Sequence, residues 1–268
     1  MFLIRKELKV KYKGSFFGLL WSMLNPAAVL GVYYVVFKYF MKSQIPNFAI
    51  FLFSGLIVWN FFSATLNGSV NAIVANSGIV KKVSFPREIL AISQVGTSLV
   101  FFFFQAIVLI IFLVGFHYAP AWNYLPLIPV AMIDLLLLTT AISILLSAMN
   151  VYLRDVKHLI EVLLQVWFWG IPIIYSYNRV YHHSKLLGWF FLADPVTPIV
   201  LAFQRSIYGK VNPLHSTYLN GGDGPILANY PYHYYFLMLG WVFLIGVAMM
   251  IVAFVVFSRI EGNFAEEL

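Results

Sequence analysis

Cysteine is absent from this 268-residue chain, and charged residues are scarce, at 10% of the sequence. An average soluble domain carries roughly a quarter charged residues. Without cysteine, the chain has no disulfide framework, no thiolate metal site and no cysteine nucleophile. A water-soluble fold of this size could not bury a sequence that is 62% hydrophobic, whereas lipid suits it. The composition therefore predicts an integral membrane protein.

The sequence signatures of nucleotide binding and of common catalytic sites are also missing. No G-x-x-x-x-G-K-[ST] motif occurs, so the chain does not bind ATP through a P-loop. Neither H-E-x-x-H nor G-x-S-x-G is present, and His182-His183 has no acidic neighbours at ligand spacing. We predict no catalytic residue, metal or cofactor on this chain. A membrane-embedded glycosyltransferase or acyltransferase is disfavoured because polar catalytic residues do not cluster.

Long apolar segments define the predicted architecture. A transmembrane helix needs about 20 mainly apolar residues. Six segments qualify: 19–41, 47–66, 88–116, 125–150, 159–177 and 234–257. Asn25-Pro26 is expected to kink or delay the first span, and Pro172 lies in the fifth. We predict one all-α transmembrane domain over residues 1–268, because no soluble domain or internal repeat is evident.

The basic residues predict the orientation of the chain. The formal net charge is +7, but lysine and arginine cluster beside apolar segments, as the positive-inside rule predicts for a membrane protein rather than a nucleic-acid binder. Six spans place both termini on one side. If that side is the cytoplasm, it receives eleven of the 17 basic residues: Arg5, Lys6, Lys9, Lys11, Lys13, Lys81, Lys82, Arg87, Arg154, Lys157 and Arg259. We predict cytoplasmic termini and no nucleic-acid partner.

Residues 3–13 are predicted to form an amphipathic helix at the membrane surface. Four basic side chains share one face of this helix at 100° per residue: Arg5, Lys6, Lys9 and Lys13. Such a helix anchors the chain to anionic lipid headgroups. A second interpretation adds contact with a cytosolic partner or an anionic substrate, and both stay open.

Two connecting regions are too elaborate for simple turns. The loop from Asn67 to Glu88 predicts a short amphipathic helix beside Lys81 and Lys82, and Pro86 and Glu88 suit the first turn of the next span. The region from 178 to 233 contains two apolar runs, 186–192 and 199–203, that are too short to span. We predict two re-entrant or interfacial helices that form a lid over a cavity.

Aromatic residues make up 18% of the chain. Tyr33, Phe37 and Phe40 form a helical stripe in the first span, and Trp167, Phe168 and Trp169 stand in the fifth. Many aromatic side chains of membrane proteins only pack or lie in interfacial belts. Ring faces also stack on sugar C–H faces, so these residues are candidates for guiding a glycan.

Polar residues in or beside the spans leave further hypotheses open. Asp134 is the one acid predicted inside a span, where a proton-coupled secondary carrier would use it, although a lone acid facing a polar cavity or a neighbouring helix is the favoured interpretation. Arg154, Asp155, His158 and Glu161 lie at a predicted membrane boundary, and we interpret them as a solvated, salt-bridged turn.

Five stretches taken together resemble one family from end to end. They are Arg5 to Ser15 followed by GLLWSMLNP at 18–26, KVSFPRE at 82–88, NVYLRDV at 150–156, DPVTPI at 194–199 with Arg205, and EGNFAEEL at 261–268. Asp194 stands where asparagine is usual. The chain resembles the permease subunit of bacterial ABC exporters of polysaccharides, which move O-antigen, capsule, teichoic acid and related lipid-linked glycans.

The resemblance implies an assembly and a location. It implies a homodimer with two copies of a separate cytosolic ABC ATPase, which would bind Mg-ATP, in the bacterial cytoplasmic (inner) membrane. The implied substrate is a lipid-linked polysaccharide moved outwards through the dimer. An ABC permease for small drugs or lipids remains an alternative, as does the proton-coupled carrier.

The resemblance also implies three groups of functional residues. The loop residues would form a coupling helix that docks on the ATPase: Lys81, Lys82, Ser84, Phe85, Pro86, Arg87 and Glu88. The basic residues Arg5, Lys6, Lys9 and Lys13 would lie at the cytoplasmic gate, near an entering pyrophosphate headgroup. The two short apolar helices, between spans five and six, would form the outer gate: Trp189, Phe190, Pro195, Pro198 and Arg205.

Overall fold

The computed structural model describes residues 4, 7, 21–40, 45–83, 85–209, 226–227 and 230–268, and all regular structure in them is helical. The helices are α1 Trp21–Val35, continued by a π-helical segment Val36–Phe40, α2 Phe48–Val70, α3 Ala72–Ala75, α4 Ser77–Val80, α5 Glu88–Gly115, α6 Leu127–Tyr152, α7 Val156–Gly170, α8 Tyr177–His183, α9 Lys185–Ala193, α10 Val196–Ile207, α11 Tyr232–Ile260 and α12 Phe264–Glu267. Short 3₁₀ segments occur at Trp122–Tyr124 and Glu261–Asn263.

Four of the described helices, α2, α5, α6 and α11, are long and apolar enough to cross a membrane. Helices α9 and α10 meet the same criteria only as a pair, and they are bent by 98° where they join. Counting this bent pair as one span gives at most five candidates among the described residues. The all-helical membrane architecture is confirmed for these residues, whereas the count of six spans stays a prediction.

Several boundaries differ from the predicted ones. The predicted fifth span, 159–177, corresponds to α7, which begins earlier, at Val156, and ends at Gly170. Ile171 is extended and Pro172 follows it, because a residue before proline avoids the helical region and proline cannot donate a helical hydrogen bond. The predicted amphipathic loop helix is divided into α3 and α4, which meet at Asn76.

Helix α2 forms the centre of the fold. In its most apolar stretch 83% of the residues are buried within the chain, against 22% for α11. Gly55 allows α2 and α10 to cross closely, because a Cβ atom there would lie 3.0 Å from Nε2 of Gln204 and 3.2 Å from Cγ1 of Val200. Helix α11 exposes Leu237 and Leu244, as expected of a helix that faces lipid.

The long helices run between two ends of the molecule. The bent-pair end comprises residues 45–47, 116–126 and 171–209, and the loop end comprises residues 71–83, 85–88, 150–156 and 257–268. Ile4 packs against α5 at Gly96, in the part of α5 nearer the loop end. The described residues nearest the two termini therefore lie towards the same end.

Candidate functional site

A groove of about 520 Å³ lies between α1, α2 and α7. Its lining combines apolar, aromatic and polar side chains: Val29, Tyr33, Leu56, Trp59, Asn60, Ser63, Asn67, Glu161, Leu164, Gln165, Phe168 and Trp169. The polar members come from two facing helices.

Two rows of polar residues line this groove. Asn60, Ser63 and Asn67 share one face of α2, since residues three and four apart are neighbours on a helix surface. Glu161 and Gln165 form the second row, one turn apart on α7. Amide, hydroxyl and carboxylate groups supply the donors and acceptors that sugar hydroxyls require. Nδ2 of Asn60 donates to Oε1 of Gln105 at 2.8 Å, which orients the Asn60 amide.

Aromatic rings complete the lining. The Phe168 ring stacks on Tyr33 at a centroid distance of 6.1 Å and lies 5.7 Å from the Trp59 ring. Trp169 is 59% exposed at the edge of the groove. The groove therefore places ring faces beside hydrogen-bonding groups, which is the chemistry that a carbohydrate chain requires.

The structure separates the predicted pore aromatics. Tyr33 and Trp169 line the groove. Trp167 lies elsewhere, because its ring packs edge-on against Phe62 and its Nε1 donates to Oδ1 of Asp194 at 3.1 Å. Phe37 packs against Tyr33 and Phe48 rather than lining the groove, and Phe40 is 76% exposed outside it.

Sequence reasoning did not identify Trp59 or the polar row on α2, whereas Phe168 was among the fifth-span aromatics that it named. The spacing of Asn60, Ser63 and Asn67 within an otherwise apolar helix was the signal that could have identified that row. Of the predicted solvated, salt-bridged turn, Arg154 and Asp155 lie in a turn, whereas Glu161 lies in α7. The exposed carboxylate of Glu161 lies 3.4 Å from Nδ1 of His158, and Glu161 also lines the groove.

Asp134 lies outside the groove. Its side chain is 2% exposed on α6, and its Oδ2 has no hydrogen-bond partner within the described part of the chain. Burial of this acid agrees with the prediction that it lies inside a span.

The predicted coupling residues divide into an exposed and an inward group. Lys81, Lys82 and Pro86 are exposed, beside the exposed apolar side chains of Ile79 and Val83. We call Ile79, Lys81, Lys82 and Val83 the loop surface. A surface that combines apolar and basic side chains suits contact with another protein.

The inward group faces the body of the chain. Phe85 is half-buried against an apolar cluster that contains Ile73, Val80 and Leu90. Arg87 is half-buried and donates to the carbonyl of Glu261. Glu88 is the first residue of α5, where its charge complements the helix dipole. Ser84 lies outside the described residues, as do Arg5, Lys6, Lys9 and Lys13; of the predicted N-terminal helix only Ile4 and Glu7 are described, both helical.

The predicted outer-gate residues all lie in or beside the bent pair. Trp189 and Phe190 are exposed on α9, by 60% and 74%. Pro195 immediately precedes α10, and Pro198 is buried in its first turn. Arg205 is 7% exposed, with its guanidinium 4.0 Å from the centre of the Tyr124 ring.

Asp194 fixes the bend between α9 and α10. Its carboxylate accepts hydrogen bonds from the backbone N–H of Thr197 at 3.1 Å and from the Thr197 hydroxyl at 2.8 Å, as well as from Trp167. These bonds satisfy the start of α10 and connect it to α7.

Comparison with known proteins identifies the family. The family model described as ABC-2 type transporter matches residues 1–208. The O-antigen export system permease protein RfbA of Klebsiella pneumoniae is 30% identical over 263 residues, covering 98% of this chain and 92% of the relative. The protein of the same name from Myxococcus xanthus is 32% identical over 206 residues, covering 77% and 78%. The polysialic acid transport protein KpsM of Escherichia coli is 27% identical over 209 residues, covering 76% and 79%.

The family model matches from the first residue through the whole bent pair, and the similarity to the Klebsiella relative covers almost the whole chain. They confirm the resemblance drawn from the five sequence stretches. The chain belongs to the ABC-2 type transporter family.

Proposed function

We propose that this chain is the membrane-spanning subunit of an ABC exporter that moves a lipid-linked polysaccharide out of the cytoplasm. The observation that carries the proposal is the near-full-length similarity to an O-antigen export system permease. Another relative is named for the transport of polysialic acid, and polysialic acid is also a polysaccharide. ATP hydrolysis takes place on a separate ATPase subunit, because the chain carries no P-loop.

The membrane topology has six spans, with both termini in the cytoplasm of the bacterial inner membrane. Helices α1 and α7 supply the two spans beyond the four long helices. The position of Ile4 and of residues 257–268 towards one end supports an even number of crossings. The bent pair enters the outer side of the membrane without crossing it, and it forms the outer gate.

The groove is the glycan path, and a second copy of the chain closes it. Apolar side chains beside the groove are exposed, with Val32 of α1 at 62%, Val162 of α7 at 61% and Val166 at 67%. Pairing two such faces in a homodimer would bring together two polar and aromatic linings. The rings offer stacking surfaces while the two polar rows exchange hydrogen bonds with the sugar hydroxyls.

In the homodimer, the loop surface of each permease chain docks on one of two ATPase copies. Ile79 and Val83 lie four residues apart, with Lys81 and Lys82 between them, so apolar contacts and charge are combined on one surface. The basic N-terminal residues Arg5, Lys6, Lys9 and Lys13 bind the lipid-linked pyrophosphate where it enters.

Purification of the chain, co-expressed with candidate cytosolic ABC ATPases and placed in nanodiscs, tests the proposal. We expect a stable complex that hydrolyses ATP and exports a lipid-linked glycan in vesicles. Replacing Asn67 and Gln165 together by leucine should lower glycan export while leaving ATPase binding intact. The control replaces Ile107 and Ile110, on an exposed face of α5, by leucine.

Two alternatives would be recognised in the same experiment. ATPase activity stimulated by small drugs or lipids, with no response to glycan, would indicate a different ABC permease. A chain that binds no ATPase, and that moves solute along a proton gradient until Asp134→Asn stops it, would be a secondary carrier. The observation that favours testing the carrier is that the buried Oδ2 of Asp134 has no hydrogen-bond partner among the residues that the structure describes.

A further inference from the structure

The segment that follows α11, residues 261–268, is called the tail. Its centre is Phe264, which is 0% exposed. The ring lies edge-on to Phe257 of α11 at 5.5 Å and close to the Tyr152 ring of α6 at 6.0 Å. Burial of a whole phenylalanine ring in so short a segment makes Phe264 the main apolar anchor of the tail.

Polar contacts hold the same segment from two sides. The Arg87 guanidinium donates to the backbone carbonyl of Glu261 and stands 5.6 Å from the centre of the Phe264 ring. The Tyr152 hydroxyl donates to the carbonyl of Ile260 at 2.8 Å. The last carbonyls of a helix have no partner within the helix and attract cations. Arg87 and Tyr152 therefore cap the end of α11 from other parts of the chain.

The cluster that buries Phe264 also contains the inner side of the loop. Ile73 of α3 and Val80 of α4 belong to it, together with Leu90 of α5, and Phe85 packs against it. The exposed loop surface thus lies on the outside of short helices whose inner side shares a core with the tail. Single-turn helices such as α3 and α4 have little stability of their own, so this packing determines their position.

We propose that Phe264 and Arg87 are positioning residues that hold the loop formed by α3, α4 and the loop surface against the end of α11. We call this contact the lock. This inference rests on the proposed function, in which the loop surface contacts the ATPase. A movement of the loop would then be passed to α11, and through Tyr152 to α6, as the movement of one packed unit. In this proposal Arg87 acts inside this chain. The family resemblance implies instead that Arg87 contacts the ATPase.

A distance measurement tests the lock without depending on transport. The natural chain has no cysteine, so Lys82→Cys and Glu267→Cys provide two exposed sites for spin labels. We expect one narrow label distance in the otherwise natural chain. Phe264→Ala should broaden it, because truncating a buried phenylalanine shifts such a docking equilibrium by about a hundredfold. An unchanged distribution, or a broad one before the substitution, would overturn the proposal.

An export assay on the complex with the ATPase tests the functional consequence. Phe264→Ala and Arg87→Ala should each lower glycan export per ATP hydrolysed by about tenfold, a usual size for a coupling free energy. ATPase binding should stay within twofold of the natural chain. Phe264→Leu, which keeps an apolar side chain, should restore most of the export. Asn263→Ala, at an exposed neighbouring position, is the control.

The possible results are distinguishable. Normal export per ATP by Phe264→Ala contradicts the lock while leaving the proposed function intact. Loss of the ATPase from the Arg87→Ala complex, with an unchanged label distance, means that Arg87 contacts the ATPase and also contradicts the lock. If the natural chain neither binds an ATPase nor exports glycan, the proposed function fails, whereas the label distances still report on the docking of the tail.

Discussion

At both ends side chains hydrogen-bond to backbone carbonyls of distant segments, but these bonds are buried or half-buried at the bent-pair end, whereas the Tyr152 bond at the loop end is exposed. The Tyr208 hydroxyl donates to the carbonyl of Pro46 at 2.8 Å, and Nε2 of Gln204 donates to that of Pro172 at 3.0 Å. The Ser206 hydroxyl donates to the carbonyl of Tyr124 at 2.7 Å. At the loop end the corresponding bonds come from Arg87 and Tyr152.

The difference follows from the surroundings of each end. The bent-pair end includes breaks in helical backbone at Ile171-Pro172, which is buried, and at Asp194-Pro195, which is half-buried. Buried carbonyl and N–H groups without partners cost free energy, so side chains must satisfy them. At the loop end Lys81, Lys82 and Pro86 are exposed, and water satisfies exposed backbone groups there. The two ends therefore differ in how deeply their hydrogen-bonded groups are buried.

The largest expected effect is at the crossing of α2 and α10. Gly55→Leu should lower the free energy of unfolding by about 3 kcal/mol or more, because Gln204 and Val200 occupy the space that the new side chain needs. A denaturant titration of the purified chain in detergent measures this. Gly240→Leu, on α11 with open space around its Cβ position, should change it little. Equal effects of the two substitutions would contradict the close crossing.

The next effect concerns the bend itself. Asp194→Ala should lower the free energy of unfolding by about 2–3 kcal/mol, because it removes the acceptor for Thr197 and Trp167 and leaves donors unpaired. Asp194→Asn introduces the residue that is usual in the permeases that this chain resembles. It keeps one oxygen as an acceptor and should lower the free energy of unfolding less. The same titration compares the two variants. A larger loss for asparagine would show that the negative charge matters more than the number of acceptors.

A matched pair of tyrosines compares the two ends directly. Tyr208→Phe should cost about 1 kcal/mol, because the Tyr208 ring is 1% exposed and the Pro46 carbonyl loses its donor. Tyr152→Phe removes a similar bond to Ile260, but Tyr152 is 37% exposed, so water replaces the hydroxyl and the loss should be small. If Tyr152→Phe were the costlier change, the contrast between the ends would be wrong.

The smallest effect on stability is expected at the loop surface. Val83→Asp should change the free energy of unfolding by less than about 0.5 kcal/mol, because the side chain is 55% exposed. It should nevertheless weaken ATPase binding by about tenfold or more, as a charge placed in an apolar contact does. Binding to the ATPase in nanodiscs measures this, with Asn263→Asp as a control that adds the same charge on the tail. Unchanged binding would remove Val83 from the docking surface.

Part of the site was accessible from the sequence because it depends on local pattern. Proline and acidic residues predicted the start of α5 to within two residues, and the apolar runs 186–192 and 199–203 lie in α9 and α10. The partners of these residues were not accessible. Arg87 meets the carbonyl of a residue 174 positions later, and no local pattern specifies such a pairing. Arg87 faces the ring of Phe264. The sequence indicated Phe264 only as part of EGNFAEEL, one of the stretches that resemble the family.

The sequence by itself determined the solvent and the helical class of this protein, because apolar runs of this length and so few charges are stable only in lipid. It also indicated two of the short helices described between α7 and α11, namely α9 and α10, but not α8. Tertiary structure decided which side of α1, α2 and α7 lines the groove. Trp167 and Trp169 are two residues apart, about 200° around α7, so only the packing of α7 against α2 and the bend turns Trp169 to the groove and Trp167 to Asp194.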